Sequence, residues 1–237
     1  MNIYLDLETI PAQDPAVRAA IAAGITAPAN YSKPESIAKW LEENREAEAE
    51  KAWRKTSFDG ALGQIAVASI AIDDAAPVTF WQEDWASGET HILRELFDLI
   101  DSACSVPVYG GIRAEREPVF IGHNLVNFDL RFLFQRAVLN SIRPPACIPF
   151  QAKPWDAKVY DTMTAWAGHN GRVSLDKLCT ALGIAAKGSE IGDEIDGSLV
   201  WDFVRAGRIA DVATYCAADV ERVREIHKRM TFWSAAA

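Results

Sequence analysis

The chain of 237 residues carries 24 basic and 33 acidic residues, which gives a formal net charge of −9, and 49% of its residues are hydrophobic. This composition is typical of a globular domain and excludes a disordered tail or a fibrous repeat. We expect no membrane span, because no apolar run reaches about 18 residues. The acidic balance also argues against duplex binding through a broad basic face.

The four cysteines lie far apart and form no C-x-x-C pair; they are Cys104, Cys147, Cys179 and Cys216. This spacing argues against a zinc site and against a disulfide framework, and it fits a reducing compartment. The N-terminus shows neither the basic region nor the cleavage site of a signal peptide. The sequence therefore predicts a cytoplasmic protein with no membrane partner.

The first half of the chain predicts a strand, a long helix, a hairpin and a second helix. Residues 3–7 alternate apolar and polar side chains, which indicates a strand. Residues 35–55 favour a long helix with a highly charged middle part. Apolar runs over residues 64–72 and 78–81 predict a β-hairpin, and residues 91–100 have the spacing of an amphipathic helix.

The second half alternates strands with helices. We expect strands over residues 119–122 and 159–161, and helices over residues 127–139, 174–182, 200–205 and 211–230. Ser174 is a candidate N-cap, and Gly183 follows the end of its helix. The pattern predicts an α/β fold in which a mixed β-sheet is flanked by helices. We expect one domain over residues 1–237, with residues 12–63 forming a helical insertion.

Asp6 and Glu8 form the first acidic pair. Residues two apart on a strand project from the same face, about 7 Å apart along the chain. Like charges this close repel one another, so the pair is unfavourable unless a cation lies between the carboxylates. The alternative is a solvated strand end with no chemical role.

Asp129 is the second acidic position. It follows a predicted buried strand and the loop residues His123 and Asn124, and it falls in the first turn of a helix, where the helix dipole favours an anion. Two alternatives remain open at this point. Asp129 would have only that electrostatic role, and the loop residues would only bond to the backbone of a turn.

Tyr215 and Asp219 are four residues apart and share one face of the last helix. They lie beside the apolar stripe that faces the body of the protein, and a buried carboxylate needs a partner. No lysine or arginine occurs between residues 209 and 221. We therefore expect the partner of Asp219 to come from elsewhere, and a metal ion would satisfy that need.

In this order, the motifs resemble those of the DEDD superfamily of 3′–5′ exonucleases, in the subgroup that has a tyrosine in the last motif. Asp6-x-Glu8 is similar to the first motif, His123-Asn124-x-x-Asn127-Phe128-Asp129 to the second, and Tyr215-x-x-x-Asp219 to the third. The segments around Leu175 and Trp201, together with the approach to Tyr215, resemble the exonuclease domains of family B DNA polymerases.

The resemblance implies a ribonuclease-H-like fold and two divalent cations, Mg²⁺ or Mn²⁺. Asp6 would bridge both ions. Glu8 and Asp219 would hold the ion that carries the attacking water, and Asp129 would serve the second ion. Tyr215 would orient the attacking water, because a tyrosine with an ordinary pKa near 10 is a poor base at neutral pH.

The implied substrate is single-stranded DNA, or an unpaired 3′ end, which the protein would shorten to nucleoside 5′-monophosphates. The expected substrate contacts are Leu7, Thr9, His123, Asn124, Phe128 and Lys187. Replication or repair proteins are possible partners. The sequence leaves open the oligomeric state, and also the choice between a stand-alone nuclease and a proofreading-type subunit.

Three other functions remain open. The same site would serve a 3′–5′ exoribonuclease, because discrimination depends on contacts with the 2′-hydroxyl. A non-catalytic nucleic-acid-binding module on the same fold and a two-metal phosphatase are the other two. The insertion at residues 12–63 would be a lid over the substrate, a docking helix or plain surface. Asp161 is expected to cap a helix rather than to join the acidic site.

Overall fold

A five-stranded mixed sheet forms the centre of the fold. The computed structural model describes residues 1–107, 113–185, 191 and 195–233. The sheet has the order β3-β2-β1-β6-β7, and its strands are β1 (Asn2–Ile10), β2 (Gln64–Ile72), β3 (Val78–Trp81), β6 (Val119–Gly122) and β7 (Val159–Asp161). A separate ribbon pairs β4 (Ser105–Pro107) with β5 (Arg113–Glu115).

Strand β1 lies between an antiparallel and a parallel neighbour, and it runs beyond the predicted residues 3–7. Its pairing with β2 continues to Ile10, with a register irregularity between Glu8 and Thr9. Its parallel pairing with β6 ends at Tyr4. Asp6 and Glu8 therefore lie inside β1, not at its end as predicted, because β2 keeps the strand extended. They nevertheless lie past the part of β1 that pairs with β6.

Eight α-helices surround the sheet in the described residues. They are α1 (Pro15–Gly24), α2 (Pro34–Arg54), α3 (Trp85–Cys104), α4 (Asp129–Leu139), α5 (Thr162–Ala167), α6 (Leu175–Leu182), α7 (Val200–Arg205) and α8 (Ile209–Met230). Helices α1 and α2, followed by a 3₁₀ helix over Lys55–Phe58, connect β1 to β2. The structure describes all of α1, and none of its residues is buried. The sequence did not predict α1, because the helix has no buried face and therefore no marked stripe of apolar residues.

The side chains of β1 alternate between two helical layers. Ile3, Leu5 and Leu7 pack into one core, together with apolar side chains of α3 and α4 such as Leu93, Leu96, Leu130 and Leu133. Tyr4 packs on the opposite face, against apolar side chains of α6 and α8. This period-two alternation places Asp6 and Glu8 on the α8 face of the sheet.

Local capping fixes the ends of two short helices. The Ser174 side chain accepts a hydrogen bond from the Lys177 amide, and Gly183 ends α6 with a left-handed φ of 65°. Both features agree with the predictions from the sequence. Asp161 caps α5 by accepting bonds from the amides of Met163 and Thr164. No helix among the described residues has the length and apolarity needed to cross a membrane.

Candidate active site

Asp6 and Glu8 lie on the face of β1 that α8 covers. Cys216 of α8 reaches the same place, with its Sγ atom 3.3 Å from Asp6 Oδ2. One ligand atom from each of Asp6, Glu8 and Cys216 lies within 4.8 Å of the others. The sequence predicted the two carboxylates here but not the thiol. The signal for Cys216 was available, since it follows Tyr215 on the same helix.

Asp129 approaches β1 from its other side, at the first residue of α4. Its Oδ1 atom accepts a hydrogen bond from the Leu7 amide at 3.1 Å, and its side chain is buried. Burial, followed by the charge of Asp6, raises the pKa of Asp129 well above its ordinary value. Because the Asp6 carboxylate contributes to this shift, the two carboxylates interact electrostatically. Asp6, Glu8, Asp129 and Asp219 are called the acidic group below.

Tyr215 is fully buried among apolar side chains of β1, β2 and α7. Burial, followed by the charges of Glu8, Asp219 and Asp6, raises the pKa of its hydroxyl above the usual value of 10.0. The hydroxyl therefore stays protonated at neutral pH. The same carboxylates, after burial itself, raise the pKa of the Cys216 thiol. Burial is the largest cause of both shifts, and the nearby carboxylates add to it.

Asp219 has a protein partner that the sequence analysis missed. Arg222 lies one helical turn farther along α8, and its Nη1 atom is 3.0 Å from Asp219 Oδ1. Both side chains are buried, at 7% and 2% exposure. Arg222 directly follows residues 209–221, which contain no lysine or arginine. The expectation that the partner comes from elsewhere was therefore wrong, because residues three apart are neighbours on a helix.

The predicted substrate contacts fall into different environments. The Leu7 side chain is buried in the core, so only its backbone borders the acidic group. The Thr9 hydroxyl donates a hydrogen bond to the Ser57 carbonyl oxygen at 2.6 Å. Phe128 lines a cavity of about 640 Å³ beside Asn124. Lys187 lies outside the described residues.

His123 bonds to the protein through both of its ring nitrogens. Its Nε2 atom donates to the Val173 carbonyl oxygen at 2.9 Å, and its Nδ1 atom lies 3.0 Å from the Thr162 hydroxyl. These contacts join the loop after β6 to α5 and to the segment before α6. His123 therefore connects these segments through both ring nitrogens, and its contact with substrate stays a prediction.

Asp161 organises the loop that carries Asn124. It is buried and accepts hydrogen bonds from the amides of Asn124 and Val126 at 3.0 and 3.2 Å, in addition to its capping bonds to α5. Asn124 adopts a left-handed φ of 61°, which asparagine tolerates better than most residues. Capping was the expected role of Asp161, and the additional bonds fix the loop that leads to Asp129.

The donor set suits a hard divalent cation. Asp6 and Glu8 offer carboxylate oxygens close together, and Mg²⁺ and Mn²⁺ prefer such oxygens. Asp129 and Asp219 are the other predicted ligands. Burial is the main cause of the raised pKa of Asp129, and the charge of Asp6 adds to it. Arg222 offsets part of that charge at Asp219. The residues therefore fit a divalent metal, which would favour the ionised form of the buried acids.

A family model matches residues 62–235 of the chain, and its description is "Predicted 3'-5' exonuclease related to the exonuclease domain of PolB". This match covers well over half of the sequence. The chain belongs to this family. Asp129, Tyr215 and Asp219 lie within the matched segment, whereas Asp6 and Glu8 precede it. No curated protein sequence matches the chain.

Among solved structures, the family B DNA polymerase from the hyperthermophilic archaeon Pyrobaculum calidifontis is similar, with a TM-score of 0.55 and 16% sequence identity. The match covers 73% of this chain, which spans only 22% of the polymerase. At this identity the similarity supports the fold alone. It confirms the predicted class, an α/β domain with a ribonuclease-H-like mixed sheet and flanking helices.

Proposed function

We propose that the protein is a metal-dependent 3′–5′ exonuclease that removes nucleoside 5′-monophosphates from single-stranded or unpaired DNA 3′ ends. Family membership supports a nuclease. The main support for the proposal is that acids far apart in the sequence meet at β1, from two sides of the strand. Asp6 and Glu8 lie beside Cys216 of α8, and Asp129 of α4 bonds to the amide between those two acids.

In this proposal Asp6, Glu8, Asp129 and Asp219 hold two Mg²⁺ or Mn²⁺ ions. When bound, such ions activate water and stabilise charge on the attacking and leaving oxygens of a phosphodiester. The β1 backbone sets the separation of Asp6 and Glu8, and the Leu7 amide fixes the Asp129 carboxylate. Arg222 holds one oxygen of Asp219 and so limits its rotation.

We infer from Tyr215 that the protein is one of the tyrosine-containing exonucleases. Its raised pKa excludes an ionised phenolate at neutral pH, so the hydroxyl does not act as the base. The hydroxyl instead donates a hydrogen bond that orients the attacking water. Tyr215 lies one helical turn before Asp219 on α8, and the position of its hydroxyl is fixed because the ring is fully buried.

The substrate strand would approach through the cavity beside Phe128 and Asn124, whose lining includes Arg172. An aromatic ring and a cation suit a nucleobase and a phosphate respectively. The cavity has a volume of about 640 Å³, which lies in the range of ordinary ligand sites, roughly 300–1,000 Å³. Replication or repair proteins that expose unpaired 3′ ends are the proposed source of substrate.

The test is digestion of a 5′-labelled single strand of DNA, with an RNA strand of the same sequence alongside. We expect a ladder that shortens from the 3′ end in Mg²⁺ or Mn²⁺ and stops with chelator. Asp6→Asn should abolish the ladder, whereas Asp98→Asn on α3, outside the acidic group, should leave it unchanged. Faster loss of the RNA would favour the exoribonuclease, and no shortening of either strand would contradict the proposal.

A further inference from the structure

Phe58 is a large apolar side chain with 65% exposure at the end of the connection between β1 and β2. Hydrogen bonds hold the two residues that precede it. The Ser57 carbonyl oxygen accepts a bond from the Thr9 hydroxyl at 2.6 Å, and the Thr56 hydroxyl oxygen accepts one from the Ala12 amide at 2.8 Å. A single exposed apolar residue is ordinary, but this one follows a segment that is tied to the end of β1.

Two cavities meet at Phe58. One, of about 350 Å³, is lined by Thr9, the residue after Glu8, and by Lys51 and Lys55. The other, of about 640 Å³, is lined by Phe128, the residue before Asp129. Phe58 lines both cavities. The Phe58 ring therefore stands between two cavities, each lined by a residue that is adjacent in sequence to one of the acids.

The Phe58 ring also faces another aromatic ring. Its centroid is 6.3 Å from that of Phe128, with an interplanar angle of 60°. The two faces that the rings present to the cavities are apolar, while lysines border one cavity and Arg172 borders the other. Aromatic rings with basic side chains on either side suit a single nucleic-acid strand. Its bases would stack on the rings, and its negatively charged phosphates would lie near the basic side chains.

We propose that Phe58 is a stacking platform for a nucleobase at the 3′ end of the substrate, and that the two cavities hold adjacent nucleotides. This inference rests on the proposed exonuclease function and extends it to the segment that connects β1 to β2. Phe58 lies before the segment matched by the family model. The connecting segment thus forms one wall of the substrate cleft.

The test compares Phe58→Ala with Phe58→Trp, and with Phe232→Ala as the matched control, because Phe232 is also exposed but lies after α8. The substrate is a 5′-labelled DNA strand whose two 3′-terminal residues are either normal or abasic. On the normal strand, Phe58→Ala should raise KM by about 5- to 150-fold, the range for one lost base stack. Phe58→Trp and Phe232→Ala should stay near the wild-type value.

On the abasic strand, Phe58→Ala should equal the wild type, because there is no base for the ring to stack on. An unchanged KM on the normal strand, or an equal loss on both strands, would overturn the inference. Wild-type turnover of the normal strand separates the two ideas. If the wild type is active and Phe58→Ala behaves like it, only the stacking platform fails, whereas an inactive wild type contradicts the exonuclease function and the platform with it.

Discussion

The Arg222–Asp219 pair permits a quantitative prediction for Arg222→Met. The variant removes the guanidinium but keeps a side chain of similar length, so the Asp219 carboxylate stays at 2% exposure and loses its ion pair with Arg222. Breaking a buried ion pair from one side costs about 3–5 kcal/mol. The change also removes the bond from Arg222 Nε to the Ala185 carbonyl oxygen, which measures 3.1 Å.

The assay is thermal and urea unfolding in the presence of chelator. For a chain of this size, a loss of about 3–5 kcal/mol lowers Tm by roughly 6–20 °C. The control is Arg208→Met, since Arg208 also pairs with an acid three residues on, Asp211, but with 42% and 36% exposure. An exposed pair contributes only about 0–1 kcal/mol, so the control should change little.

Two further measurements identify why Arg222→Met loses stability to unfolding. Adding Asp219→Asn to the variant should restore most of the stability, because no buried charge is then left without a partner. Mn²⁺ should also stabilise the variant more than it stabilises the wild type. If Arg222→Met loses no more than Arg208→Met, or if the double variant recovers nothing, the argument from buried charge is refuted.

Three other predictions follow from the site. Burial and the Asp6 charge raise the pKa of Asp129, so in chelator the folded state loses stability as pH rises through that pKa. Asp129→Asn should lose this part of the pH slope in thermal unfolding as pH rises above the ordinary carboxyl pKa of 3.8, and an identical slope would argue against it. Tyr215→Phe should lower kcat by about 10- to 1,000-fold with an unchanged Tm, whereas an unaltered rate would remove the hydroxyl from the mechanism. Gly122→Ala should cost about 1–3 kcal/mol in urea unfolding, because its Cβ would lie 2.9 Å from Leu125 Cβ and 3.1 Å from the Leu5 carbonyl oxygen; wild-type stability would contradict that steric argument.

The sequence predicted the sheet well because its strands are short apolar runs bounded by turns. Strands β2, β3, β6 and β7 have the predicted bounds. The end of β1 was predicted too early, since Glu8 and Thr9 are polar and only pairing with β2 keeps them in the strand. Ribbon β4–β5 was missed, because neither Ser105–Pro107 nor Arg113–Glu115 is an apolar run bounded by turns.

The acidic group was predictable because each of its residues has a local pattern on its own element. Contacts between different helices and strands were not predictable from such local patterns. Cys216 becomes important only once α8 is packed against β1, and Phe58 only once the connecting segment returns to Thr9. Arg222 differs from both, because it pairs with Asp219 on the same helix. His123 was predicted to bind substrate, yet its bonds to Thr162 and Val173 exist only after the loop is folded.

The most direct test of the account is titration of Mn²⁺ into the wild-type protein and into Asp6→Asn, followed by calorimetry or by electron paramagnetic resonance of the free ion. The account predicts saturable binding of two ions by the wild type. It predicts weakened binding by Asp6→Asn, whose side chain lies among the clustered ligand atoms. Binding of equal strength and number by the two proteins, or no saturable binding by the wild type, would contradict the central claim that these acids hold divalent cations.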